Sequence, residues 1–140
     1  MTQMIFLNLP STDIARARAF YAGLGFSLDE RFCNADTLMV TVSDAIHLMI
    51  LDRDRFASFS PRPLAPEGTL SAHVNLSRPS AEAVDDFVER ALAHGGTDNG
   101  DRHRMGDYMY GRSVLDPDGN GIAVTWMDVD KAMQAGGIAV

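Results

Sequence analysis

His47 and His73 are the two side chains of this sequence best suited to chemistry. A free imidazole titrates close to neutral pH, and in its neutral form it can take up a proton or ligate a metal. The two residues stand in related contexts. Phe6-Leu7-Asn8-Leu9 is echoed sixty-seven residues on by His73-Val74-Asn75-Leu76, and the same spacing carries Phe20 onto Phe87. Ile46-His47-Leu48 is echoed seventy-six residues on by Ile122-Ala123-Val124. Phe6, His47, His73 and Ala123 therefore form one set of corresponding positions. An octahedral or facial metal site wants three or more protein ligands, often with a carboxylate. Two histidines beside Phe6 and Ala123 leave such a site neutral and under-coordinated. Two other readings stay open: the imidazoles line the polar part of a ligand cavity, or they are core histidines with satisfied nitrogens. Metal-free proton transfer is a further use of the same ring.

A second cluster is Tyr108-Met109-Tyr110-Gly111-Arg112. The Tyr110 hydroxyl and the Arg112 guanidinium can orient a planar or anionic ligand. Equally, the two can pair with each other on a sheet face. Strand alternation adds further cavity candidates. Met49 shares a face with His47, Thr125 with Ala123, Asn8 with Phe6 and Asn75 with His73. A two-residue slip in pairing would put Met49 in the place of His47 without changing face. His94 and His103 read as solvated, Cys33 as an ordinary buried thiol, and Met105, Met109 and Met127 as core fill. No Gly-x-Ser-x-Gly or acid-oriented Cys/His pair occurs. Gly119-Asn120-Gly121 is a turn with no helix start after it, so it is no phosphate cradle.

The elements that position these residues repeat as well. Residues 4–9 read as a buried strand closed by Pro10. Ser11, Thr12 and Asp13 offer helix caps, and Ile14, Ala17, Tyr21 and Leu24 follow at helical spacing up to Gly25. Strands are expected at 26–32, 37–42 and 46–51, the last two joined by a tight hairpin at Ser43-Asp44-Ala45. The second half runs in the same order. It has a strand at 70–76, a helix capped by Ser80 with Val84, Phe87, Val88 and Ala91 on one face, and a weak polar strand within 97–104. Two further strands flank Asp116-Pro117-Asp118-Gly119-Asn120, which suits a type I turn. Residues 53–69, with a charge run, Phe56, Phe59 and three prolines, form the connector. The tail 129–140, with Ala135-Gly136-Gly137, reads as loosely attached. Two βαβββ units that need each other to bury their apolar faces make one α+β domain of residues 1–128. The modules are 4–52 and 70–127.

Composition narrows the partners. The chain has 140 residues, 46% hydrophobic, enough for a sizeable core. Its formal charge of −7 disfavours nucleic acid and anionic membrane surfaces. The single cysteine excludes an internal disulfide and fits a reducing, cytoplasmic setting. No apolar run approaches the roughly 20 residues that span a bilayer, and no secretory signal is seen.

Leu9-Pro10-Ser11-Thr12-Asp13 through Phe20-Tyr21 and Leu24-Gly25-Phe26, a second unit, and the late Asp116-Pro117-Asp118-Gly119 together resemble the vicinal oxygen chelate superfamily. That superfamily holds glyoxalase I, bleomycin-resistance proteins and extradiol dioxygenases. The resemblance covers roughly residues 4–127. It implies paired βαβββ modules forming an open, eight-stranded, U-shaped barrel around a small-molecule cavity, with homodimers common. It implies metal ligands, where members have them, at Phe6, His47, His73 and Ala123. Phe6 and Ala123 cannot ligate, and Ala123 stands where many members carry a glutamate. A degenerate metal site follows, with no cofactor favoured. The expected function is binding of a small, planar or aromatic molecule in the barrel, with candidate catalytic side chains His73, His47 and Tyr110. The alternatives are a metal-dependent lyase of lactoylglutathione type or a ring-cleavage dioxygenase, using a divalent metal at His47 and His73, and a dimerising accessory domain without ligand. Glu30, Glu67 and Asp107 are the carboxylates that could complete a metal set.

Overall fold

The computed structural model describes residues 2–136. Its order is β1 (Ile5–Ser11), α1 (Ile14–Gly23), β2 (Ser27–Leu28), β3 (Thr37–Thr41), β4 (Ile46–Asp52), α2 (Arg53–Ala57), β5 (His73–Ser77), α3 (Ala81–Ala93), β6 (Thr97–Met105), β7 (Met109–Leu115), β8 (Gly121–Met127) and α4 (Val129–Gln134). The strands make two four-stranded sheets, β1-β4-β3-β2 and β5-β8-β7-β6. In each, the first strand runs parallel to the last and the remaining pairs are antiparallel. This is the expected pair of βαβββ modules, arranged as an open barrel rather than a closed one.

Each helix covers one face of its own sheet. Asp13 caps α1 by accepting from the Arg16 N–H, and Ser80 caps α3 by accepting from the Ala83 N–H. Both helices leave through a glycine in the left-handed region, Gly25 (φ +93°) and Gly95 (φ +98°). Ala17, Phe20 and Tyr21 from α1 and Val84, Phe87, Val88 and Ala91 from α3 are buried with Val40, Leu48, Ile50, Val114, Ile122 and Val124 in a single cluster. The repeat thus builds one core, not two.

The modules are also joined by a polar lock. Asp116, 2% exposed, accepts from the Tyr21 hydroxyl (2.7 Å), the N–H groups of Asp118 and Asn120 (2.9 and 2.8 Å) and the Asn120 amide (2.9 Å). The same Asn120 amide donates to the Pro10 carbonyl at 3.0 Å. Asp118 accepts from Ser11 Oγ (2.6 Å), from Thr12 N–H and Oγ1 (2.8 and 2.9 Å) and from Arg16 (2.8 Å). The last hairpin turn is therefore keyed into the β1–α1 corner of the first module.

Several boundaries differ from expectation. The strand expected at 26–32 is two residues long, because Asp29 accepts from the Arg31 N–H and turns 30–32 into a short 3-10 helix. The charge run opening the connector is helical, since Asp52 caps α2 by accepting from the Asp54 N–H. The polar 97–105 segment is a full nine-residue strand on the sheet edge, with a register shift between Asp98 and Arg102. Asp128 caps α4 by accepting from the Lys131 N–H, Ala132 is buried, and Lys131 pairs with Asp107 at 2.9 Å, so the tail up to residue 136 is held rather than loose. Residues 137–140 of that expectation lie outside the described residues.

Candidate functional site

Strand register fixes which side chains share a face. Phe6 pairs with His47 and His47 with Thr41; Asn8 pairs with Met49 and Met49 with Met39. These rows lie opposite Leu7, Leu48 and Val40, so they occupy the helix-free face of the first sheet. In the second sheet the corresponding rows are His73–Gly121, Asn75–Ala123–Ser113 and Ser77–Thr125–Gly111–His103. Eight of the expected cavity residues, Phe6, Asn8, His47, Met49, His73, Asn75, Ala123 and Thr125, therefore sit on helix-free faces. The register also decides the two-residue alternative. The partner of His73 is Gly121, so by strand pairing His47 corresponds to Gly121, and Met49 to Ala123. The seventy-six-residue echo is a local likeness two residues out of step with the ladder. Gly121 has a reason of its own: a Cβ there would lie 2.8 Å from the Cβ of His73.

Tyr110 and Arg112 are a correction. They alternate with Gly111 and Ser113 and so face α3, not the barrel interior. The Tyr110 hydroxyl donates to Asp85 (2.7 Å), and Arg112 donates to Asp85 and to Asp98 (2.9 Å each). Both residues are 4% exposed. Burial opposes ionisation of Asp85, but Tyr110 and Arg112 outweigh it and hold the carboxyl below its usual range. The Gly100 N–H and Arg112, against a smaller cost of burial, lower Asp98 likewise. These two residues tie α3 to β6 and β7, and they leave the list of ligand contacts.

The two histidines sit on different sheets, His47 on β4 and His73 on β5. His47 stacks on Phe6, with ring centroids 5.1 Å apart and planes 14° from parallel. Its Nδ1 lies 3.4 Å from Thr41 Oγ1 and its Nε2 3.3 Å from the Asp44 carbonyl. His73 is exposed on the other sheet. Among the described residues no three His, Cys, Asp or Glu side chains come together in a group able to hold a metal. The three suspected carboxylates do not complete a set of three: Glu30 pairs with Arg18, Asp107 with Lys131, and Glu67 lines the same cleft as His73 but with no third ligand among the described residues. The positions where the superfamily's metal would sit thus supply phenylalanine, histidine, methionine, glycine and alanine, which is not a donor set for it.

A polar group on the second sheet lies outside the expected site residues. Asn99 donates to Ser113 Oγ (2.9 Å), Ser113 donates through Oγ and N–H to Asp101 (2.6 and 3.1 Å), and His103 Nε2 lies 3.3 Å from the other Asp101 oxygen. Burial raises the Asp101 carboxyl, and the two Ser113 donors more than reverse that, so it titrates low. The hydroxyl proton is committed to a carboxylate and no imidazole accepts it, so Ser113 is not an activated nucleophile. The alternation Asn99-x-Asp101-x-His103 was the available signal. It was masked because the segment has no apolar face.

A cleft of about 450 Å³ opens between the modules, under the connector. Its walls come from β1, α2, residues 60–72, the start of β5 and the 118–120 turn. Of the expected cavity residues, only Asn8 and His73 line it. Phe56 and Leu64 give it apolar walls, and Arg53 and Arg62 bring positive charge.

No curated protein sequence matches this chain significantly. The structure is similar to that of a glyoxalase-related enzyme from Fulvimarina pelagi, at 18% identity over 92% of this chain and 91% of that one, with a TM-score of 0.78. It is similar to a lactoylglutathione lyase from Agrobacterium tumefaciens, at 19% identity over 89% and 93%, TM-score 0.65. It is also similar to the fosfomycin resistance protein FosX from Listeria monocytogenes, a structure complexed with Mn(II) and dihydroxypropylphosphonic acid, at 12% identity over 97% and 98%, TM-score 0.71. At these identities the likeness is one of fold. The sequence itself matches the Glyoxalase/Bleomycin resistance protein/Dioxygenase superfamily over residues 3–124, and the chain belongs to that family.

Proposed function

We propose that this protein binds a small, planar or aromatic molecule in the cleft between its two modules, without a resident metal. The observation that carries the reading is the cleft itself. Its volume of about 450 Å³ exceeds the ~300 Å³ at which small-molecule sites begin. It is mainly apolar, with Phe56 as an aromatic wall, and Asn8, His73, Arg53, Arg62 and Glu67 are among the polar groups that can fix orientation. That composition supports a ligand site over an accessory domain without ligand. Among the described residues the cleft brings His73 together with one carboxylate, Glu67, that makes no ion pair, and no group of three ligands, a set better suited to binding or modest acid-base work than to Lewis-acid chemistry. Homodimerisation and a cytoplasmic setting complete the reading; no helix among the described residues is long and apolar enough to cross a membrane.

Two measurements on tag-free protein test this. Elemental analysis is expected to show no stoichiometric metal, and a thermal-shift screen of aromatic ligands to give hits that Phe56→Ala abolishes. Stoichiometric iron, zinc, nickel or manganese that disappears in His73→Ala overturns the metal-free reading in favour of a lyase or dioxygenase. Ligand hits unaffected by Phe56→Ala move the site out of the cleft.

A further inference from the structure

We propose a second, separate site: a small-oxyanion pocket built by Arg78 and Arg90 at the seam between the modules, on the helix-covered side. A pocket of about 270 Å³ lies there between the exit of α1 (Leu24, Gly25, Phe26) and α3 (Ala83, Asp86, Phe87, Arg90), with Arg78 entering from the β5–α3 link. It shares no lining residue with the intermodule cleft.

Arg78 is the first of the two cations. Its Nε is buried and has no hydrogen-bond partner. Only one other side-chain atom among the described residues is in that position, Nε of Arg112, and the remaining nitrogens of Arg112 are held by Asp85 and Asp98. Arg78 has no such acid: its side chain makes no hydrogen bond or ion pair among the described residues. It is held instead over the Phe87 ring, with Cζ 5.8 Å from the centroid. Nε is closed off, but the two Nη groups are not among the buried atoms and have no partner among the described residues, so the half-buried guanidinium keeps both of them free for an acceptor.

Arg90 converges on the same space. It too has no side-chain partner among the described residues, and its Nη1 would lie 2.9 Å from a Cβ placed on Gly25. The bare backbone at Gly25, in the left-handed region, is what lets this guanidinium reach the seam. Asp86 lines the pocket but forms no ion pair with either arginine. One carboxylate against two guanidiniums leaves the pocket positive, in a chain whose formal charge is −7. Guanidinium forks match the paired oxygens of a phosphate or carboxylate. An oxyanion here would accept from the Nη groups of Arg78, which have no other partner among the described residues. It would also bridge the first module, through Gly25 and Phe26, to α3 of the second, beside the Phe26–Phe87 ring contact at 6.0 Å.

The test uses the full-length, nitrogen-15-labelled protein, titrated with inorganic phosphate and separately with succinate at constant ionic strength. The signals followed are the Nε–H groups of Arg78 and Arg90 and the amides of Gly25 and Phe26. A saturable shift confined to these groups is expected, with Kd at least tenfold weaker in Arg78→Met and in Arg90→Met. Saturation by one probe alone identifies phosphate or carboxylate as the group bound; saturation by both identifies a general oxyanion site. A non-saturating shift, or a Kd unchanged by the substitutions, overturns the proposal. If Arg78→Met does not fold, Arg90→Gln decides alone, because that side chain is exposed and outside the core.

Discussion

Asp116 shows how much one side chain can carry in a protein of this size. Burial pushes its carboxyl above the usual range, while Tyr21, Asn120 and the Asp118 N–H favour the ionised form. Tyr21 is itself fully buried, and burial beside Asp116 raises its hydroxyl well above the ordinary tyrosine range, so the phenol stays a donor. Asp116→Ala is expected to cost about 1–3 kcal/mol, since it leaves several buried donors without an acceptor. Tyr21→Phe alone should cost less, and the double variant should fall short of the sum. Urea unfolding of all three checks this. A further prediction concerns Arg112. Asp85 and Asp98 titrate below their unfolded values, so the stability they contribute is present above about pH 4 and is lost as pH falls through the folded pKa values. Arg112→Met should flatten this acid limb in thermal unfolding between about pH 5 and 3, although the partial exposure of both carboxylates keeps the effect modest. At this scale the sequence was legible in the histidines and the paired asparagines, whose faces follow from alternation. Tyr110 and Arg112 were misplaced because their polarity suggested a ligand. Their acids, Asp85 and Asp98, lie 25 and 14 residues away, on elements whose mutual approach no local pattern announces.

At the scale of elements, the two helices meet so closely that glycine is required on each side. A Cβ at Gly96 would lie 2.7 Å from the Phe20 ring and 2.9 Å from the Ala91 carbonyl. Gly96→Ala is therefore expected to destabilise by about 1–3 kcal/mol through backbone displacement, measurable as a lower denaturation midpoint with an unchanged denaturant slope. The strands and helices of both modules were readable because apolar periodicity and caps agreed. Three elements were not. The 3-10 turn at 30–32, α2 and α4 are each set by an aspartate capping a backbone N–H two or three residues on, a signal easily taken for surface charge. β6 was half seen, because an edge strand bonded on one side needs no apolar face to form.

At the scale of the whole molecule, the open face raises the question of assembly. Phe6 (51% exposed) and Ile5 (54%) stand uncovered at the start of the edge strand β1, with Met4 (44%) just before it. Sedimentation equilibrium is expected to show a dimer, weakened by Phe6→Asp; a monomer at all concentrations would contradict the homodimer in the proposed function. The architecture was legible because the chain repeats itself. The cleft was not, since it is walled largely by the connector, which has no counterpart in the repeat.

The lock between the last hairpin and the first corner also sets an order in time. Ser11 and Asp118 are 107 residues apart, and Tyr21 and Asp116 are 95 apart. During synthesis the first module leaves the ribosome well before its acceptors exist. Until residues 116–120 emerge, the Tyr21 hydroxyl has no buried partner and the Pro10 carbonyl no amide. The first module is thus a waiting half whose completion depends on a turn made about a hundred residues later. Contacts of such separation slow folding and prolong the exposure of β1. Damage to the final turn should accordingly lower the yield of folded protein more than its equilibrium cost alone would suggest.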